Sequence, residues 1–272
     1  MQSIFIQIAA YRDRELPFTI DDAIAKSSGR YRLVFGVQAC YKSPGEVQLG
    51  DHAAEVRYSE SLAPEAIGVG ASRHAANLHY QGEDFYFQTD SHMRFAQDWD
   101  LKAVQALEWY QAQGIAKPLL TQYPPNFWYD SDGCVTKDSG KFAPTRVDFN
   151  EKPEDFAGQL VPSQRAVSSI LECAYTASVS AAVIFTTGDY AALAPNPKVA
   201  FWGEEILMAA RAFTHGFDLV TPRQNLVWHL YANGQTPEQT GRRPVWEDFP
   251  DLWQALDAAS KAEVQDILST NR

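Results

Sequence analysis

Apolar positions in the first hundred residues fall into short runs separated by polar, helix-spaced segments. Ser3 to Ala10 is a nearly continuous apolar run of strand length, and it reads as a buried strand. Thr19 to Ala25 has helical spacing, with Thr19 a candidate N-cap ahead of Asp21 and Asp22. Leu33 to Ala39 predicts a second strand and Glu55 to Tyr58 a short third. Val69 to Tyr80 predicts a helix carrying Arg73 on its first turns, and Phe85 to Asp90 an aromatic strand that runs into Ser91 and His92. This β-α-β-β-α-β order predicts an α/β fold, a mostly parallel central sheet with helices on both faces.

Trp99 to Gln113 predicts an amphipathic helix, with Trp99, Ala103, Ala106, Leu107 and Tyr110 on one face. Past Leu120 the texture changes. Tyr123-Pro124-Pro125 and Asp130-Ser131-Asp132-Gly133 are turn signals, and the chain to about Val161 reads as irregular with hairpins. An alternating strand over Cys173 to Phe185, a helix over Glu204 to Thr214 and a strand over Leu226 to Tyr231 follow. From Trp246 the tail is helical, with Phe249, Leu252, Trp253 and Leu256 on one stripe, a pattern that serves a core or a partner. No internal repeat and no low-complexity segment interrupts the chain. The simplest division is one compact domain over residues 1–243 and a helical appendage over 244–272 packed on it.

Composition narrows the function classes. The chain has 272 residues, 45% hydrophobic and 21% charged, enough to bury a large core. A net charge of −11 argues against nucleic acid as a partner, because backbone phosphates demand a basic face. It leaves room for a small anionic ligand held by a metal and a few arginines. Cys40, Cys134 and Cys173 are far apart and odd in number, with neither zinc spacing nor a disulfide framework, which suits a reducing compartment. The first residues read as a strand with no basic leader, and no apolar run reaches the roughly 18 residues of a membrane span. The expected location is cytoplasmic.

Four clusters carry candidate chemistry. Asp90 and His92, two residues apart at a strand end, offer one oxygen and one nitrogen ligand of the kind a Mn²⁺ or Mg²⁺ ion takes. Tyr11-Arg12-Asp13 follows the first strand, where open α/β sheets bind nucleotides. A ring to stack on a base and a carboxylate to accept from it fit that place, and so does a charged, solvating turn. Gly68-Val69-Gly70-Ala71-Ser72-Arg73 is a glycine-rich helix entry whose backbone N–H groups would be free for an anion, without a full phosphate-loop pattern. Phe201-Trp202-Gly203-Glu204-Glu205 opens a helix with two carboxylates, either dipole complements or groups that face a sugar. His229, after Trp228, ends an apolar strand, where a histidine is more often a satisfied core residue than a ligand. His52, His74, His79 and His215 read as structural.

Taken in order, these segments resemble one family. Ile4-Phe5-Ile6-Gln7-Ile8-Ala9-Ala10-Tyr11-Arg12-Asp13 with Glu15-Leu16-Pro17 is similar to the opening of the GlcNAc-transferase family, whose founding members are cytoplasmic enzymes that attach α-GlcNAc to hydroxyproline. The similarity continues through Arg32 to Gln38, Gly70-Ala71-Ser72-Arg73 and Phe87-Gln88-Thr89-Asp90-Ser91-His92-Met93-Arg94-Phe95. It extends through Thr121 to Pro125, Gly203-Glu204-Glu205 and Pro222-Arg223-Gln224-Asn225-Leu226-Val227-Trp228-His229. The stretch from Gln88 to Phe95 is its most specific part. A more distant resemblance links the chain to the polypeptide GalNAc-transferases, which share Asp-x-His, a later Trp-Gly-Gly-Glu-Asn segment and a third histidine. Here Phe201 and Trp202 replace Trp and Gly, and Glu205 stands in the place of Asn.

The resemblance implies a GT-A glycosyltransferase fold and a metal set of Asp90, His92 and His229, with Mn²⁺ the first choice and Mg²⁺ the second. It implies that Tyr11, Arg12 and Asp13 hold the uridine, with Arg73, Gln88, Asp90 and Ser91 also on the donor side. Glu204 and Glu205 would face the sugar or the acceptor as the catalytic carboxylates. The expected activity is metal-dependent, retaining transfer of a hexosamine, foremost GlcNAc, from a UDP-sugar to a hydroxyl on a protein or glycan. A sugar-nucleotide hydrolase and a non-catalytic nucleotide-sugar-binding module are the alternatives. Retention can come from front-face attack or from double displacement through a carboxylate. The Tyr123 to Tyr129 segment suits either stacking on an acceptor or plugging the core.

Overall fold

The computed structural model describes residues 1–46, 49–63, 68–138, 145–150, 154–156, 159–161, 164–168, 174–231 and 244–270. Its strands are β1 (Ser3–Tyr11), β2 (Arg32–Tyr41), β3 (Glu55–Leu62), β4 (Phe85–Asp90), β5 (Met93–Phe95), β6 (Pro118–Leu120), β7 (Phe127–Tyr129) and β8 (Val135–Lys137), followed by β9 (Thr145–Phe149), β10 (Glu154–Phe156), β11 (Gln159–Val161), β12 (Gln164–Ser168), β13 (Val183–Thr187), β14 (Asp218–Val220) and β15 (Val227–His229). The helices are α1 (Leu16–Ala25), α2 (Val69–Asn77), α3 (Trp99–Ala112), α4 (Glu204–Thr214), α5 (Val245–Asp248) and α6 (Pro250–Thr270).

Seven strands form the central sheet in the order β14-β6-β13-β4-β1-β2-β3. Only β13 runs against its neighbours, so the sheet is mostly parallel, as the alternating pattern predicts. Both faces are covered, which is why β1 and β2 are apolar almost throughout. Ile4, Ile6, Ile8, Phe87 and Phe185 meet α1 and α3 through Leu16, Ile20, Trp99 and Leu107. Phe5, Val34, Tyr86 and Ile184 meet the opposite layer, where α4 supplies Met208, Ala209 and Ala212. The β strands β9 to β12 pair as two small antiparallel ribbons outside the main sheet.

Several boundaries differ from the expectation. Helix α1 starts at Leu16, with Pro17 in its first turn and Glu15 at the N-cap, so Thr19 is inside the helix. The Thr19 hydroxyl is fully buried; it donates to the Ser91 carbonyl (2.8 Å) and accepts from Met93 N–H (2.9 Å). Helix α2 stops at Asn77 and not at Tyr80, whereas β3 runs on to Leu62. The strand expected from Cys173 is confined to Val183–Thr187, because Ser180 turns the chain back onto Val183 N–H (2.9 Å). Cys173 itself lies outside the described residues. In the tail, Leu252 is exposed and the firmly buried positions of α6 are Ser260 and Val264. Val264 packs with Val199 and Leu207, and the Ser260 hydroxyl accepts from Ala200 N–H (2.8 Å). Among the described residues, no helix is long and apolar enough to cross a membrane.

Candidate metal and donor site

Strands β1 and β4 are parallel neighbours, so their C-terminal ends deliver Tyr11-Arg12-Asp13 and Asp90-Ser91-His92 to the same edge of the sheet. Strand β5 then pairs antiparallel with β15, setting His229 opposite Met93 and therefore beside His92. The two imidazole Nε2 atoms are 2.9 Å apart, and His229 Nε2 is 3.3 Å from Asp90 Oδ2. Ligand atoms of Asp90, His92 and His229 all lie within 4.8 Å of one another. His229 is further fixed by its backbone N–H, which donates to the Pro125 carbonyl (2.9 Å), so the proline-stiffened turn serves the site from behind.

Asp13 is buried and turned away from solvent. Its Oδ2 lies 2.6 Å from His92 Nδ1 and accepts from the Ser91 hydroxyl at 2.7 Å. A carboxylate on Nδ1 keeps the proton there and leaves the Nε2 lone pair facing Asp90 and His229. One carboxylate oxygen and two imidazole nitrogens, converging with a fixed tautomer, fit a divalent cation of the Mn²⁺ kind. Asp13 and Ser91, expected on the nucleotide, are thus engaged with His92 in this arrangement.

Arg73 closes the other side. Its guanidinium, 3% exposed, donates to Asp90 Oδ1 (2.8 Å) and lies 2.9 Å from Glu204 Oε1. Among the described residues its Nη1 has no hydrogen-bond partner, a buried donor of the kind an anionic ligand satisfies. Burial disfavours the Asp90 carboxylate, but the His229 hydrogen bond and the Arg73 charge outweigh it and hold its pKa well below the usual range. Glu204 shifts upward because burial outweighs Arg73, with Asp90 adding repulsion. Glu205 is pushed up to about 7 by burial, against the hydrogen bond that its Oε1 accepts from Ala181 N–H (2.8 Å).

The glycine-rich entry to α2 serves packing and not an open anion cradle. Val69 N–H and Gly70 N–H donate to the carbonyls of Ala200 (2.8 Å) and Val199 (3.0 Å). A Cβ at Gly70 would sit 2.2 Å from the Asn196 carbonyl, so glycine is what lets α2 meet the segment that leads into Glu204. Gly203, at φ 86°, makes the left-handed turn from which α4 starts. Gln88 lies beneath the site, donating to the Ala181 carbonyl (2.9 Å), and Ala181 in turn holds Glu205.

Tyr11 and Arg12 are not drawn into the metal cluster. Tyr11 Oη donates to Asp248 Oδ2 (2.8 Å), and the Arg12 guanidinium pairs with both Asp248 and Glu46. Sequence reading had no signal for Asp248, 236 positions from Arg12. It also missed Tyr231, whose ring lies 4.1 Å from that of His229 and stacks on Tyr123 at 6.0 Å. His52, His74, His79 and His215 each pair with a group outside this cluster.

With this geometry in place, comparison with known proteins is decisive for the family. The model of the family described as Glycosyltransferase (GlcNAc) matches residues 40–272. The chain belongs to that family. The match takes in Arg73, Asp90, His92, Glu204 and His229, and begins after Tyr11-Arg12-Asp13. No curated protein matches the chain. Among solved structures, GalNAc-T7 with UDP, GalNAc and Mn²⁺ is 11% identical, with a TM-score of 0.56, over 93% of this chain and 49% of that one. Staphylococcus aureus TarS 1–349 in complex with UDP-GlcNAc is 14% identical, with a TM-score of 0.48, over 94% of this chain and 65% of that one. The first likeness shows the fold, that of the GT-A glycosyltransferases, and this chain spans about half the length of GalNAc-T7.

Proposed function

We propose that the protein is a metal-dependent, retaining glycosyltransferase that moves a hexosamine, GlcNAc, from UDP to a hydroxyl on a protein or glycan. The observation that carries this reading is the convergence of Asp90, His92 and His229 within 4.8 Å at the C-terminal edge of the sheet. Membership of the family described as Glycosyltransferase (GlcNAc) supports the reaction class and the choice of sugar, and GalNAc-T7, which shares the fold, was crystallised with UDP, GalNAc and Mn²⁺.

In this reading Asp90, His92 and His229 hold a divalent cation, which when bound acts as a Lewis acid on the leaving diphosphate. Arg73 adds a fixed positive charge through the edge of its guanidinium that protein groups leave unbonded. Tyr11 and Arg12 contact the nucleoside, and Asp13 with Ser91 keeps His92 oriented. Glu204 is ion-paired to Arg73 and Glu205 accepts from Ala181 N–H, so neither is a free nucleophile. That favours front-face attack: the acceptor oxygen bonds to the anomeric carbon as the carbon–phosphate oxygen bond breaks, and the acceptor proton goes to the departing phosphate. The two carboxylates then orient the sugar hydroxyls and the acceptor.

The test is calorimetric titration of UDP and UDP-GlcNAc with Mn²⁺ and again with EDTA. Binding that needs the metal is the expected result. Equal binding in EDTA would remove the cation from the reading, and no binding in either would remove the donor.

A further inference from the structure

The four-residue helix α5 contacts both the turn after β1 and the segment before α4. At one end the Asp248 side chain, 1% exposed, takes the Tyr11 hydroxyl hydrogen (2.8 Å) and the Arg12 guanidinium, with Lys42 Nζ 3.6 Å away. At the other end the Trp246 ring meets Phe201 at 5.3 Å and Trp253 at 5.4 Å. Phe201 is on the segment that leads through Gly203 into Glu204, and Arg12 follows β1. One short strap therefore joins the nucleoside side of the proposed site to its carboxylate side.

Among the described residues, these two anchors tie the strap to the two walls, and Lys42 over the Phe249 ring (5.4 Å) lies at its junction with α6. A single helical turn has no stability of its own, and Asp248 is its one side chain sunk into the neighbouring wall. The guanidinium that anchors it is about one-fifth exposed and is shared with Glu46, so Asp248 does not hold Arg12 alone. Meanwhile both groups assigned to the nucleoside are consumed: Tyr11 has given its hydroxyl hydrogen to Asp248, and Arg12 is shared between two carboxylates.

We propose that α5 is a built-in competitor of the donor: the Asp248 carboxylate stands in for the nucleotide on Tyr11 and Arg12, and the strap leaves when donor binds. This rests on the assignment of Tyr11 and Arg12 to the nucleoside made under the proposed function. Binding is then taxed by the fraction of molecules in which the strap is closed, so loosening either anchor tightens apparent affinity. The strap also links the two ends of the site, because displacing Asp248 frees Trp246 from Phe201 and uncovers the approach to Glu204.

The experiment compares UDP affinity, with Mn²⁺, in the full-length wild type, Asp248→Asn and Trp246→Ala. Hydrogen exchange of residues 245–253 is followed with and without saturating UDP. Both variants are expected to bind UDP about fivefold tighter, and UDP is expected to speed exchange across the strap. Trp246→Ala changes no charge, so tightening by Asp248→Asn alone, with exchange unmoved, would reduce the effect to bulk electrostatics and overturn the strap. Weaker binding in both variants with slower exchange would make α5 a wall of the site, also overturning it. Normal UDP binding that ignores both substitutions sinks only the strap. No UDP binding by any of the three proteins sinks the nucleotide reading and the strap together.

Discussion

The two sides of the proposed site, metal and nucleoside, are built on different principles. On the metal side, every side chain comes from a strand end or the residue next to one, and each is held by a buried partner: His92 by Asp13, Asp90 by Arg73, His229 by the register of β15 on β5. On the nucleoside side, Tyr11 and Arg12 depend on Asp248, which comes from a single turn of helix. The first side is set by the sheet and exists as soon as the sheet does. The second is set by a contact that, in the proposed strap, the donor would replace. Preorganisation where charge develops and adjustability where the substrate is gripped are different demands, and the molecule meets them with different materials.

Breaking the metal side should have the largest effect. Asp90→Ala removes a metal ligand and leaves Arg73 paired with Glu204 alone. We expect loss of metal-dependent UDP binding and a fall in transfer of about 1,000-fold, with the sheet still folded. Calorimetry with Mn²⁺ and circular dichroism check both halves; metal-dependent binding that persists would move the cation elsewhere. Glu204→Gln comes next. It keeps the shape of the side chain and removes the charge beside Arg73, so transfer should drop about 100-fold while UDP affinity stays within about twofold. An unchanged turnover number would assign Glu204 to folding alone.

Asp13→Asn sharpens the comparison more finely, because it touches the metal side without removing a ligand. The amide no longer enforces the Nδ1 proton on His92, and Mn²⁺ affinity should fall about tenfold or more. Measuring metal affinity directly, without sugar donor, separates this from a nucleotide contact. If Mn²⁺ binds as before and only UDP weakens, Asp13 belongs to the nucleoside after all.

How much of this was legible in the sequence follows the same division. The sheet was readable because β1, β2 and β4 are buried on both faces and so appear as apolar runs bounded by polar turns. Asp90 and His92 were visible as a pair because they share a strand end, and their resemblance to a family motif pointed to His229. What strand pattern could not show was that Asp13 faces inward to His92, since Tyr11-Arg12-Asp13 reads as polar whichever way each side chain turns. Thr19 misled for a related reason: threonine is a common N-cap, but here Pro17 starts the helix and the hydroxyl is spent on the Ser91 and Met93 backbone. Gly70 misled as an anion cradle because a glycine that permits close helix packing looks the same as one that leaves N–H groups open. Asp248 was beyond reach, since nothing local in a four-residue turn marks a carboxylate as the partner of an arginine at the other end of the chain.

Glu205 stands beside Glu204 at the start of α4, and its substitution should have the smallest effect on the site and a clear one on stability. Its pKa in the folded protein is about 7, against an ordinary value of 4.5, because burial penalises the charge more than the Ala181 N–H relieves it. Between those two pH values the folded chain keeps a proton that the unfolded chain has released. Glu205 therefore adds stability that is fully present below pH 4.5 and is lost as pH rises through 7. Glutamine can still accept from Ala181 N–H but carries no charge to desolvate. Glu205→Gln should match the wild type near pH 4 and exceed it at pH 8, by about 3 kcal/mol at most. Urea unfolding of both proteins at the two pH values measures the difference. A variant that loses stability equally at both would mean that the carboxylate is ionised at both, and that its contact with Ala181 outweighs the cost of burying it.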